Sequence, residues 1–263
     1  MSAPARASGL HTTSLGESGR RVVFCHGLFG QGKNWTRIGK ELAADHRVLL
    51  VDMPDHGKSA WSEEFDYLAA ADRVAELFSA DDPVALVGHS MGGKIAMLVA
   101  LRHPELVERL CVVDVSPVAY HHTSEFAGYI AAMQALDLDA LERRSEADAA
   151  LADAVPNPVV RSFLLQNLRH HDGWSWQPNL DLLGRDLERL GGWPEDRLEP
   201  GATYDGPVLW IAGQKSDYVT DDYAAAMDRW FPRNRRVTIK GAGHWVHSEQ
   251  PEVFGEVVKR FLR

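Results

Sequence analysis

Cysteine is scarce: only Cys25 and Cys111 occur in 263 residues. Two thiols cannot staple a fold of this size, and no Cys-x-x-Cys is present to hold a metal or run redox exchange. Each lies in an apolar run, so both are read as buried reduced thiols. His-Glu-x-x-His is also missing. The 12 histidines include the adjacent pairs His121-His122 and His170-His171, whose side chains diverge on a helix instead of converging on one ion. No metal is expected. Positive charge is in deficit, with 28 Lys and Arg against 37 Asp and Glu and a net charge of −9. Phosphate backbones require clustered cations, so a nucleic-acid partner is excluded. No apolar run is long enough to span a bilayer, and segment 1–10 lacks the apolar stretch of a secretory leader. No membrane span and a cytoplasmic location are expected. Internal repeats and low-complexity linkers are absent too.

Hydrophobic residues make up 45% of the chain, enough for one sizeable core. Six apolar runs read as strands: 21–25, 47–51, 83–87, 110–113, 208–211 and 236–239. They are rich in branched residues with little alternation, as in central strands covered on both faces. Helical spacing separates several of them. Residues 66–79 carry Leu68, Val74, Leu77 and Phe78 at such spacing. Residues 93–101 read as a helix stopped by Pro104. From Pro251, suited to a first turn, Val253, Phe254, Val257, Val258 and Phe261 share one side. Alternating strands and helices predict an α/β fold with a mostly parallel central sheet flanked by helices. The alternation stops between residues 118 and 203. There, helix-like segments at 124–136, 139–153 and 158–169 precede Gly173-Trp174-Ser175-Trp176 and a short helical pattern at 180–183. We expect a core of residues 1–117 and 204–263, with 118–203 inserted as a helical lid over the C-terminal edge of the sheet, where open α/β sheets place ligands.

The most informative motif is Gly88-His89-Ser90-Met91-Gly92-Gly93. It holds Gly-x-Ser-x-Gly between a predicted strand and a predicted helix, the context of a nucleophile elbow. A serine hydroxyl needs a base within hydrogen-bond reach, and the base needs a third group to hold its tautomer. His244, in Gly241-Ala242-Gly243-His244-Trp245, follows the last predicted strand and emerges at the same sheet edge as Ser90. His247 is a rival at the start of the next element. An oxyanion hole needs two backbone N–H donors. Met91, just after the serine, supplies one. Leu28, in His26-Gly27-Leu28-Phe29-Gly30, supplies the other, with Phe29 lining the pocket and His26 bonding nearby backbone. Phosphate chemistry is the rival reading of this region. Gly27-Leu28-Phe29-Gly30-Gln31-Gly32-Lys33-Asn34 nearly matches a phosphate-cradling loop, but Asn34 stands where a hydroxyl should ligate Mg²⁺.

Together HGLFG, DMPDHGKS, GHSMGG, VVDVSP and GAGHWVH resemble the α/β-hydrolase superfamily over nearly the whole chain and in its motif order. The similarity is greatest to small bacterial serine esterases acting on short acyl esters and thioesters, related to a mitochondrial abhydrolase. Superfamily dehalogenases and epoxide hydrolases carry an aspartate where this chain has Ser90. In most of the superfamily the triad acid follows the penultimate strand as Gly-x-x-Asp-x-x-Val. Here Gly213-Gln214-Lys215-Ser216-Asp217-Tyr218-Val219 puts Ser216 in that place and Asp217 one residue late. The esterase branch instead implies Asp114, at the end of the strand after the elbow helix, with Ser216 in support. Asp114 is our expected acid and Asp217 the alternative. Asp52 and Asp55 are read as structural.

The resemblance thus implies a serine hydrolase that cleaves short-chain acyl esters, or acyl thioesters, through an acyl-enzyme, with no cofactor. Phe29, Tyr120, Trp174, Trp176 and Trp245 are the candidate substrate-binding residues. The same set would also serve a carbon–carbon bond hydrolase or a cofactor-free perhydrolase. A slow, hydrolase-fold ligand-binding protein is the reading from another class. A homodimer is compatible with all of them.

Overall fold

The computed structural model describes residues 9–121 and 124–263. His122 and residues 1–8, read above for a metal pair and a leader, lie outside the described residues. The first half runs β1 (Thr12–Leu15), β2 (Arg20–Cys25), α1 (Thr36–Leu42), β3 (His46–Val51), α2 (Tyr67–Ala75), β4 (Val84–His89), α3 (Met91–Arg102) and β5 (Val107–Val113). The intervening segment holds α4 (Ser124–Gln134), α5 (Arg144–Ala150), α6 (Pro158–Leu165), β6 (Leu168–His170), β7 (Trp174–Trp176), α7 (Leu180–Arg185) and α8 (Leu187–Gly191). The chain ends with β8 (Val208–Gly213), α9 (Ala224–Trp230), β9 (Asn234–Ile239), α10 (Val246–Glu249) and α11 (Pro251–Leu262).

All six expected strands pair in one sheet, ordered β1-β3-β2-β4-β5-β8-β9. Neighbours are parallel except β1, which lies antiparallel on β3. Side chains alternate between two buried layers. Val23, Cys25, Leu86, Leu110, Val112 and Trp210 pack with α2 and α3. Val22, Phe24, Val87, Cys111 and Ile211 pack with Ile38 of α1 and Phe254 and Val258 of α11. With both faces covered, period-2 polarity fades from β2, β3, β4, β5 and β8, which is why they read as apolar runs; β9, expected to be covered on both faces, instead lies at the sheet edge with residues 235–238 exposed. Cys25 and Cys111 are free and buried, on β2 and β5 either side of β4.

Three boundaries differ from expectation. Helix α2 stops at Ala75, and Leu77 and Phe78 turn back through bonds to Val74 O and Ala75 O while still packing on the core. The 139–153 stretch is helical over Arg144–Ala150. Helix α6 ends at Leu165, and residues expected to extend it form the β6–β7 hairpin. Arg144 closes that helix end by donating to Leu165 O at 2.5 Å and Leu168 O at 2.6 Å. Helices of the 118–203 segment share the sheet's apolar cluster through Ile130, Leu164, Leu183 and Leu190. Among the described residues, no helix is long and apolar enough to cross a membrane.

Candidate active site

Strand β4 delivers His89, and the chain reverses through Ser90 into α3. Ser90 holds φ 53°, ψ −122°, a region that L-residues rarely occupy. Close packing forces the bend. A Cβ on Gly88 would sit 2.3 Å from Gly92 O, and one on Gly92 would sit 2.3 Å from His26 O. Ser90 N–H still donates to Val113 O of β5 at 3.0 Å, which ties the serine to the sheet. One strand over, Asp114 also has a positive φ, 51°, and its N–H donates to Ile211 O of β8 at 2.8 Å.

The Asp114 side chain is fully buried. Its Oδ1 accepts from Gly213 N–H at 2.8 Å. Its Oδ2 accepts from the Ser216 hydroxyl and, at 2.8 Å, from His244 Nδ1–H. With that nitrogen protonated, His244 Nε2 is the acceptor left for the Ser90 hydroxyl, 3.0 Å away. The imidazole therefore bridges Ser90 and Asp114, which are contributed by adjacent strands. His89 fixes the other side of His244 by donating from Nε2 to its carbonyl at 2.9 Å. Burial, then the facing His244 and His247 rings, hold His89 well below the ordinary histidine range, so it is neutral. The Tyr218 ring lies 4.3 Å from the His244 ring.

The other candidates sit elsewhere. Asp217 is exposed, and the carboxylate bonded to His244 is Asp114. His247 stacks on Trp35 at 4.4 Å and meets His89 at 4.8 Å; loss of water around it pushes its pKa down to about 3. His26 is structural. Its Nε2 accepts from Met53 N–H at 2.9 Å and its Nδ1–H donates to Gly27 O at 2.8 Å. Asp52 accepts from Gly32 N–H at 2.7 Å and Lys58 N–H at 2.9 Å. In the loop that resembled a phosphate cradle, the Gly32 amide is thus already occupied by a carboxylate, and Asn34 is bonded to Gln31 N and Gln166 Oε1.

Over Ser90 lies a narrow cavity of about 50 Å³, lined among others by Leu28, Met91, Tyr120, Phe126 and Tyr218. Met91 is the first residue of α3, where a backbone N–H has no intrahelical acceptor. Tyr120 is the expected substrate-binding residue that lines this cavity. Phe29, expected to line the pocket, is outside its lining; it is buried and packs against Phe126 with ring centres 6.3 Å apart. The Trp174 and Trp176 indoles donate to Leu141 O and Met133 O, which turns both rings into the 118–203 segment's own packing. Trp245 faces Phe163 and lines a separate groove with Asn34 and Arg37. Sequence reasoning passed over His89, Lys94, Tyr67 and Tyr218. Lys94 carried a usable signal, since it lies four residues after Ser90 on the same helix face.

This fold and this elbow define an α/β hydrolase. A family model described as alpha/beta hydrolase fold matches residues 20–251, and the chain belongs to that family. It is 40% identical over 250 residues to the mouse protein named sn-1-specific diacylglycerol lipase ABHD11, covering 92% of this chain and 80% of that one. Identity to Esterase YbfF of Escherichia coli strain K12 is 32% over 246 residues, 92% of each chain. A solved marine microorganism esterase superposes with a TM-score of 0.90 at 32% identity, covering 96% of this chain and 98% of that one. The chain is a hydrolase of the esterase type.

Proposed function

We propose that the protein hydrolyses short-chain acyl esters, and acyl thioesters of similar size, through an acyl-enzyme on Ser90. The observation that carries this is the His244 bridge, 3.0 Å to Ser90 Oγ and 2.8 Å to Asp114 Oδ2. Ser90 Oγ attacks the acyl carbon while its proton passes to His244 Nε2. Asp114 holds the Nδ1 proton and stabilises the imidazolium, with Ser216 bonded behind it. The Met91 and Leu28 amides receive the oxyanion. The tetrahedral adduct collapses, the bond to the alcohol or thiol breaks, and the leaving group departs with the Nε2 proton. Water then gives a proton to the same nitrogen, attacks the acyl-enzyme and frees the acid. No step calls for a cofactor.

Residues 118–203 act as a cap, since Phe126, Leu187 and Leu190 wall the cavity. The narrowness of this cavity, about 50 Å³ of free space, supports a short acyl group. The 40% identical relative named as a diacylglycerol lipase supports a second substrate, a glycerolipid ester. Ser90→Ala should cut turnover of p-nitrophenyl butyrate on the order of 10⁴-fold and abolish fluorophosphonate labelling. An unchanged rate in the folded variant sinks the mechanism. A panel of p-nitrophenyl esters, acyl thioesters and a diacylglycerol, run side by side, ranks the substrates.

A further inference from the structure

Lys94 takes no part in the chemistry above, yet it is 2% exposed and lines the serine's cavity. Burying an ammonium is costly unless other groups replace its water. Among the described residues no carboxylate pairs with it. Its Nζ donates instead to Gly191 O at 2.7 Å and Gly192 O at 2.6 Å. It also faces the Tyr120 ring at 4.7 Å and the Tyr67 ring at 5.7 Å. Gly191 closes α8, where the last carbonyls have no intrahelical partner. Their neighbours are held as well. Tyr67 Oη–H donates to Leu190 O at 2.7 Å, and Tyr120 N–H donates to Gly191 O at 2.8 Å. Bonds from α2, α3 and the segment after β5 thus converge on three consecutive carbonyls, those of residues 190–192. Leu187, Leu190 and Gly191 form one wall of the cavity.

We propose that Lys94 latches α8 onto the helix that begins at Ser90, and that this latch sets the acyl groups the serine accepts, holding the Leu187 and Leu190 wall close and favouring short chains. The proposal rests on the acyl-transfer reading above. Lys94 acts as a positioning residue. It shapes the wall through the carbonyls it holds, and the reacting atoms belong to others.

Lys94→Met keeps the stem and removes the charge and donors. The expected result is a rise of about tenfold in the ratio of kcat/KM for p-nitrophenyl octanoate over butyrate, the scale of a pocket change of a methylene or more. The change should be carried mainly by a higher KM for butyrate. A purely structural lysine would lower both esters together. Should that variant fail to fold, the wild-type ratio between pH 6 and 9 reads the same device. Burial lowers the Lys94 pKa to about 7, while burial raises those of Tyr67 and Tyr120, the titratable groups facing it, so both stay neutral. Glu188 and Arg189 of α8 are exposed. Both esters pass through the same acyl-transfer steps, so effects of pH on those steps cancel from the ratio, which should climb as the ammonium loses its proton. An unmoved ratio in folded Lys94→Met, or a flat wild-type ratio where that variant does not fold, overturns the latch while fluorophosphonate still labels the wild type. A wild type that neither labels nor hydrolyses these esters overturns the acyl-transfer reading, and the latch with it.

Discussion

Ser90 and Asp114 are both held at positive φ at the ends of adjacent strands. Such backbone costs of order 1–3 kcal/mol per residue and persists because surrounding bonds over-determine it. For Asp114 those bonds come from Gly213, Ser216 and His244. Replacing the carboxylate by an amide removes the acceptor that fixes the His244 tautomer. Asp114→Asn should therefore lower kcat on the order of 10⁴-fold, with Asp217→Asn close to wild type; steady-state rates on p-nitrophenyl butyrate check this. Collapse of Asp217→Asn alone would reverse the assignment. Both candidate acids were legible as residues. Spacing alone did not separate them, because a one-residue offset in a loop redirects a side chain, and the preference for Asp114 came from the family resemblance. The geometry that puts Asp114 beside His244 rests on β5 lying between β4 and β8, a neighbour relation that residue spacing does not contain.

At the scale of elements, the elbow depends on β4 and α3 touching through bare backbone. A methyl group on Gly88 would meet Gly92 O, Gly92 C and Gly93 Cα, none of which is a flexible side-chain tip. Gly88→Ala should cost about 1–3 kcal/mol or more by overpacking and should displace Ser90. A lowered thermal midpoint together with lost fluorophosphonate labelling is the expected pair of readings; normal labelling at wild-type stability would contradict the packing account. Strands buried on both faces were legible because burial writes a continuous apolar run. Strand β1, Thr-Thr-Ser-Leu at the sheet edge, was not, since edge positions keep polar side chains. The β6–β7 hairpin was hidden because three-residue strands carry too little period to separate from the helical pattern before them. For Lys94 the spacing from Ser90 was legible but the burial was not: a lysine in a helix ordinarily points to water, and its burial depends on carbonyls almost 100 positions downstream.

For the molecule as a whole, buried imidazoles couple folding to pH. His26, His56 and His89 are held below the ordinary histidine pKa chiefly by burial, His26 down to about 3. In the unfolded chain these rings take up protons as pH falls through about 6.5. The unfolded state therefore binds more protons as pH falls through that value, so the contribution of these rings to stability is full well above about pH 6.5 and is lost progressively as pH falls toward 3. Burial also lowers the Lys94 pKa to about 7, so the unfolded chain binds more protons there too, and thermal unfolding at pH 8, 6.5, 5 and 4 should show a midpoint that falls across the whole series. A midpoint unchanged from pH 8 to 4 would contradict this. An imidazole base also works only when neutral, so activity falls in acid too, and circular dichroism must separate lost fold from lost chemistry.

The two cysteines carry a last consequence. Cys25 and Cys111 are shut inside the sheet, and burial lifts the Cys25 thiol up to about 12 and the Cys111 thiol higher still. Only the thiolate reacts, so native molecules are chemically mute toward alkylating reagents. Each adduct marks a chain whose strands have parted, which makes these sulfurs an internal clock for opening that needs no engineered label.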